Sequence, residues 1–191
     1  MSRIAAALLA VLAASPAFAH TGSALGAGLA SGFAHPFSGL DHLLAMIAVG
    51  LWAAQCGGRA VWLLPIAFPV AMALGAVVGA SGIELPAVEI GIAFSVAALG
   101  ALIAYAVRLP ALVGAALVAV FAVLHGHAHG AEVPAAADPI AYGAAFILAT
   151  VLLHLVGIGL GLMLKSPLAA RVARAGGAAI AVAGVVLISA P

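Results

Sequence analysis

His35-Pro36-Phe37-Ser38-Gly39-Leu40-Asp41-His42 places two imidazoles and a carboxylate within eight positions, directly ahead of the apolar run Leu43 to Ala54. In a chain of 191 residues that is 67% hydrophobic and 6% charged, such a concentration of ionisable groups requires a reason. The surroundings set the fold class. A mean hydropathy of +1.36 exceeds what a soluble domain can hide in its interior, so the solvent of this chain is lipid. Backbone groups cannot bond to hydrocarbon, which leaves helices or a closed barrel as spanning elements. The apolar runs are of roughly the 18–25 residues a spanning helix needs and lack barrel-like alternation. The fold is therefore expected to be all-α, a polytopic membrane helix bundle with six transmembrane helices after a cleaved signal peptide.

Working outward, residues 1–19 carry Arg3, the apolar run Ile4 to Ala14, and Ser15-Pro16-Ala17-Phe18-Ala19 with its small-x-small ending, the pattern of a signal peptide. Cleavage after Ala19 makes residues 20–191 a single transmembrane domain beginning at His20; an uncleaved signal anchor is the competing reading. Thr21 to Phe33 is rich in Gly and Ala and too short to span, which fits a surface or re-entrant helix on the outer face. Pro36 biases His35 away from helical geometry, and Ser38 is placed to cap the next helix. Spanning helices are expected at about Gly39–Gln55, Ala60–Ala80, Leu85–Val107, Pro110–His125, Pro139–Leu164 and Ala169–Ile188. The one long connection expected is Gly126 to Ala137. No internal repeat is visible in the sequence.

Loop charge supplies orientation, because Lys and Arg favour the cytoplasmic side. Beyond the signal peptide, Arg59, Arg108, Lys165, Arg171 and Arg174 fall at one end of this bundle, and Glu84, Glu132 and Asp138 fall at the other. The mature N-terminus and the His-rich stretch are thus expected on the non-cytoplasmic, periplasmic side of a bacterial inner membrane. Net charge is +1 and no basic block exists, so nucleic acid is excluded as a partner. The single Cys56 excludes an internal disulfide and a CxxC site.

Two constellations can do chemistry. In the first, Asp41 and His42 occupy the opening turn of a helix, where a carboxylate also serves the helix dipole, and Met46 lies one turn below His42 with a soft thioether. A capping Asp accounts for neither His35 nor His42, whereas a carboxylate that orients a metal-binding imidazole accounts for the set. The second is His125-Gly126-His127-Ala128-His129-Gly130-Ala131-Glu132. If helical geometry continues, His125, His129 and Glu132 share a face and His127 points elsewhere. Otherwise Gly126 and Gly130 make the stretch a solvated loop. Three imidazoles and a carboxylate suit a borderline divalent ion such as Ni, Co, Zn or Cu. Deeper in the membrane, Glu89 and His154 are costly there unless they face a bundle interior or an aqueous path; together they would extend a polar track inward. His20, once a free N-terminus, would chelate through its amine and ring.

With His35-Pro36-x-x-Gly39-x-Asp41-His42-x-x-x-Met46, then Val49-Gly50, and with the second motif from His125 to Glu132, the chain resembles the HupE/UreJ family of membrane nickel permeases. The resemblance implies a secondary transporter importing Ni²⁺, or Co²⁺, for hydrogenase or urease maturation. It implies no enzymatic activity and no permanently bound cofactor, and it nominates His35, Asp41, His42, His125, His129 and Glu132 as metal ligands. The ion and the bilayer are the expected partners; downstream metallochaperones leave no mark in the sequence. Two rival readings remain: an intramembrane metal-dependent hydrolase, disfavoured by the lack of HExxH, and a metal-binding or storage membrane protein.

Overall fold

The computed structural model describes residues 24–163 and 166–189. The expected signal peptide, its cleavage point and His20 lie outside the described residues. Among the described residues the secondary structure is seven helices without strands: α1 (Ala24–Ser38), α2 (Leu40–Cys56), α3 (Ala60–Ala80), α4 (Val88–Ala104), α5 (Ala111–Ala131), α6 (Pro139–Met163) and α7 (Pro167–Ser189). Four of them, α3, α5, α6 and α7, are long and apolar enough to cross a membrane. The bent pair α1–α2 makes five if it is one span. The chain is thus an all-helical, multi-pass membrane protein.

Three expectations about local structure change. The stretch from Gly126 is not a loop, because α5 continues to Ala131 and carries all three histidines. Its glycines are packing surfaces: a Cβ on Gly126 or Gly130 would strike the backbone of α3 at Met72 or Ala76. Nor is His35 on an extended approach. Pro36 sits inside the last turn of α1, and the chain breaks only at Gly39, which is extended at φ −102° and ψ 122°. There α1 and α2 meet at 81°. Ser38 turns back to donate to the His35 carbonyl at 2.6 Å and does not cap α2. Finally, α4 is shorter than Leu85–Val107. Ala87 and Ala106 adopt positive φ at 56° and 53°, so the helix starts after the first and stops before the second.

Helix contacts track the small residues, as expected where lipid removes the hydrophobic drive between helices. On α2 and α6, a Cβ at Gly50 would hit the His154 carbonyl and the Ile158 amide; at Gly157 it would hit the Ile47 carbonyl. On α3 and α5, a Cβ at Gly126 would hit the Met72 carbonyl and the Ala76 amide; at Gly75 it would hit the Val123 carbonyl. Placing Gly50 on Gly126 therefore places His154 on Met72, Ile158 on Ala76, Gly157 on Gly75 and Ile47 on Val123. The α4–α7 contact maps onto itself: Gly100 meets Ala181 and Gly177, while Gly184 meets Ala97 and Ala93. Hence α2–α3–α4 and α5–α6–α7 are related by a pseudo-two-fold. His42 at the start of α2 meets His129 at the end of α5, so the halves run in opposite directions and the repeat is inverted. The sequence hides it because the halves share small-residue spacing and little else.

The interior contains Met46, Trp52, Leu64, Phe68, Ile92, Leu99 and Ile103, all buried. Trp62, Ile66, Val70, Leu112 and Val120 are exposed on the outer walls, as a lipid-facing surface requires. Outside this bundle α1 lies along α6, with Gly28 against Asp138 and Gly32 against Tyr142. That contact brings the end of α1 to one mouth of the bundle.

Candidate metal centre

Three helix ends converge at that mouth. α1 delivers His35 from its last turn, α2 delivers Asp41 and His42 from its first, and α5 delivers His125 and His129 near its C-terminus. The exposed carbonyl ends of α1 and α5 each carry roughly half a negative charge, which favours a cation between them. The N-terminus of α2 has the opposite polarity and is met by Asp41. Its Oδ1 accepts the backbone N–H of His42 at 2.8 Å and lies 3.8 Å from His42 Nδ1. Gly39 makes this possible, since a Cβ there would lie 2.7 Å from Asp41 Oδ1 and 2.9 Å from the His42 ring.

The imidazoles form a cage. Ring centroids are 4.3 Å apart for His42 and His129, 4.8 Å for His35 and His129, and 5.4 Å for His42 and His125. One nitrogen from each of His35, His42 and His129 falls within 4.8 Å of the others. Ligands about 2.1 Å from an ion can be at most about 4.2 Å apart, so the cage is slightly wider than a closed site and must contract by a small side-chain rotation. His42 Nδ1, His125 Nε2 and both nitrogens of His129 are buried without a hydrogen-bond partner. Unpartnered buried nitrogens are unusual in a native interior, and a cation shared by His35, His42 and His129 would account for one on His42 and one on His129.

Neighbours set which nitrogen is free. His125 Nδ1 donates to the Phe121 carbonyl at 2.9 Å, leaving the Nε2 lone pair available. His35 Nδ1 is 3.0 Å from the Tyr142 hydroxyl, and its Nε2 is 3.8 Å from Glu132 Oε2. Tyr142 therefore orients His35 as an outer partner orients a metal-binding histidine. The Phe146 ring lies 4.1 Å from that of His129 and 5.8 Å from that of His35, walling one side with apolar surface. Neither aromatic stands out in the sequence; the only pointer to Tyr142 is its register beside Asp138 at the same end of the bundle.

The expected residues are gathered unequally. His35, His42 and His129 make the centre, and His125 adjoins it through His42. Asp41 and Glu132 stand beside the cage, each paired with one histidine. Glu89 is exposed at the start of α4, within electrostatic reach of Glu132 and Asp41. His127 faces away, with Nε2 2.6 Å from the Ile83 carbonyl, and ties α5 to the α3–α4 connection. Met46 is fully buried in the apolar core. His154 is apart from the cage, beyond Phe68, whose ring lies 5.5 Å from that of His125 and 5.2 Å from that of His154.

The sequence from residue 8 to residue 187 matches the family described as HupE / UreJ protein. The chain belongs to the HupE/UreJ family. This HupE/UreJ chain is 48% identical over 187 residues to the protein named Protein HupE from Rhizobium leguminosarum bv. viciae, an alignment covering 98% of the chain and 97% of that relative. No solved structure matches it. The family match runs from ahead of α1 into the last turn of α7, so it includes every helix that contributes to the cage.

Proposed function

We propose that this HupE/UreJ protein is a secondary permease that imports Ni²⁺, or Co²⁺, across a bacterial inner membrane to supply hydrogenase or urease maturation. The observation that carries the reading is the cage of His35, His42 and His129, whose buried nitrogens on His42 and His129 have no partner within the protein. Neutral imidazoles suit these borderline ions, and the resemblance of both histidine motifs to nickel permeases points the same way. In this reading residues 1–19 are a cleaved signal peptide, residues 20–191 form one domain, and α2 to α7 are six spans. The end bearing the cage faces the periplasm, opposite the end bearing Arg59, Arg108, Arg171 and Arg174. The ion then passes to metallochaperones on the cytoplasmic side. The protein is not an enzyme: the histidines work as exchangeable ligands.

The order of events is set by the groups at the mouth. Exposed Glu89 and Glu132, with Asp41 behind them, concentrate cations there. His35, His42 and His129 replace part of the ion's hydration shell, with His125 next in line inward. Capture by neutral ligands in a cage wider than a closed site leaves the ion able to depart. An inside-negative potential favours inward movement of a divalent ion by about 4.6 kcal/mol per 100 mV, so uptake needs no nucleotide hydrolysis.

The test is radioactive nickel flux into proteoliposomes of the purified full chain. Wild type is expected to carry flux, and His42→Ala and Asp41→Ala to lose it while still inserting. Wild-type flux in both variants would remove the α2 motif from the mechanism. Tight binding with no flux in the wild type would instead indicate a storage protein.

A further inference from the structure

Two polar side chains in the middle of α6 have no work in the capture step. His154 is 1% exposed and Thr150 is fully buried, and neither His154 nitrogen nor Thr150 Oγ1 has a hydrogen-bond partner. A helical threonine ordinarily returns its hydroxyl to a carbonyl one turn back, and here it does not. Spaced four residues apart, the two share one face of α6. Across from them α3 contains Pro65 and Pro69. Pro69 has no N–H, so the Pro65 carbonyl loses its intrahelical partner, and Pro65 and His154 line the same cavity.

We propose that His154, Thr150 and the Pro65 carbonyl form a second, transient cation site that receives the ion from the histidine cage. The proposal rests on the permease reading above and names the next stop along the same route. Phe68 stands between the two sites, within ring contact of His125 on one side and His154 on the other. One aromatic ring therefore separates capture from transit. The pseudo-two-fold exchanges α3 with α6, so the Phe68–His154 contact lies beside its axis. Transporters built from inverted repeats hold their cargo there, and interrupted helices supply the carbonyls. An imidazole nitrogen, a hydroxyl and a carbonyl are all neutral, and a site without fixed charge detains a passing ion without trapping it.

The experiment pairs ⁶³Ni flux in proteoliposomes with Co²⁺ absorption titration of the same full-length protein in lipid nanodiscs. His154→Leu and Thr150→Val are each expected to lower flux by about tenfold or more while Co²⁺ affinity of the cage stays within about twofold. Thr150→Ser keeps the hydroxyl and is expected to restore flux. Wild-type flux in both His154→Leu and Thr150→Val overturns the second site. So does a parallel fall in cage affinity, which would show the two residues acting on the cage itself. Should His154→Leu fail to fold, the Thr150 pair decides: flux lost in Thr150→Val and regained in Thr150→Ser supports the site, and failure of the serine to rescue overturns it. Absence of flux in the wild type sinks the permease reading itself, and the transit site with it.

Discussion

Replacing Tyr142 with Phe removes one oxygen and isolates the contribution of orientation to the cage. Ligation through His35 Nε2 requires the proton on Nδ1, which then donates to the Tyr142 hydroxyl at 3.0 Å. The Tyr142 ring is 2% exposed and packs near Phe146 at a centroid distance of 6.2 Å, a contact that Phe preserves. The His35 side chain is 27% exposed, so water can take over as acceptor and no unsatisfied donor is left. The loss is the fixed ring direction. Outer partners of metal-bound histidines are worth 10–100-fold in affinity, and water replacement puts Tyr142→Phe at the lower end: about tenfold, or about 1.4 kcal/mol. Calorimetric titration of Ni²⁺ into both proteins in the same nanodiscs reads this directly, with thermal unfolding as the control for packing. An affinity within twofold of wild type would refute the assignment of Tyr142 to His35, and with it the choice of Nε2 as ligand.

Gly126→Ala should destabilise the bundle by about 3 kcal/mol, the upper end of overpacking costs, because the added Cβ meets rigid backbone at Met72 and Ala76. Gly143→Ala meets nothing within 4 Å and should leave thermal unfolding in detergent unchanged; equal behaviour of the two variants would contradict the α3–α5 contact.

Much of the fold is legible from the residues, and the failures share one cause. α3 runs Ala60–Ala80 as apolar length alone indicates, and α6 opens at Pro139 after Asp138, whose Oδ1 accepts the Ala141 N–H at 2.8 Å. The cage residues are visible because ionisable groups stand out in a chain with so few charges. The His125–Glu132 stretch invites a loop reading because glycine breaks helices in water. In a membrane bundle the same glycines admit a neighbouring backbone, and Gly126 and Gly130 do so for α3. Pro36 argues for the end of helical geometry at His35, yet it lies within the final turn of α1. Tyr142 has only its register beside Asp138 to mark it, because its contact with His35 depends on α1 folding back on α6.

The inverted repeat makes the location of the site informative. Placing Gly50 of α2 on Gly126 of α5 sets Val49 opposite His125, Ala53 opposite His129 and Val118 opposite His42. All three counterparts are buried and apolar, so the end of the bundle remote from the cage has no matching ligands. At that end Trp52 Nε1 donates to the Val107 carbonyl at 2.9 Å, and Gln55 Nε2 donates to the Ile103 carbonyl at 3.1 Å. Their repeat equivalents, Ala128 and Ala131, can make no such bonds. The two halves are thus alike in backbone and opposite in chemistry, one mouth lined with imidazole nitrogen and the other bonded through indole and amide. In the permease reading proposed above, the asymmetry gives the ion ligands at the mouth where it enters and none at the mouth where it leaves.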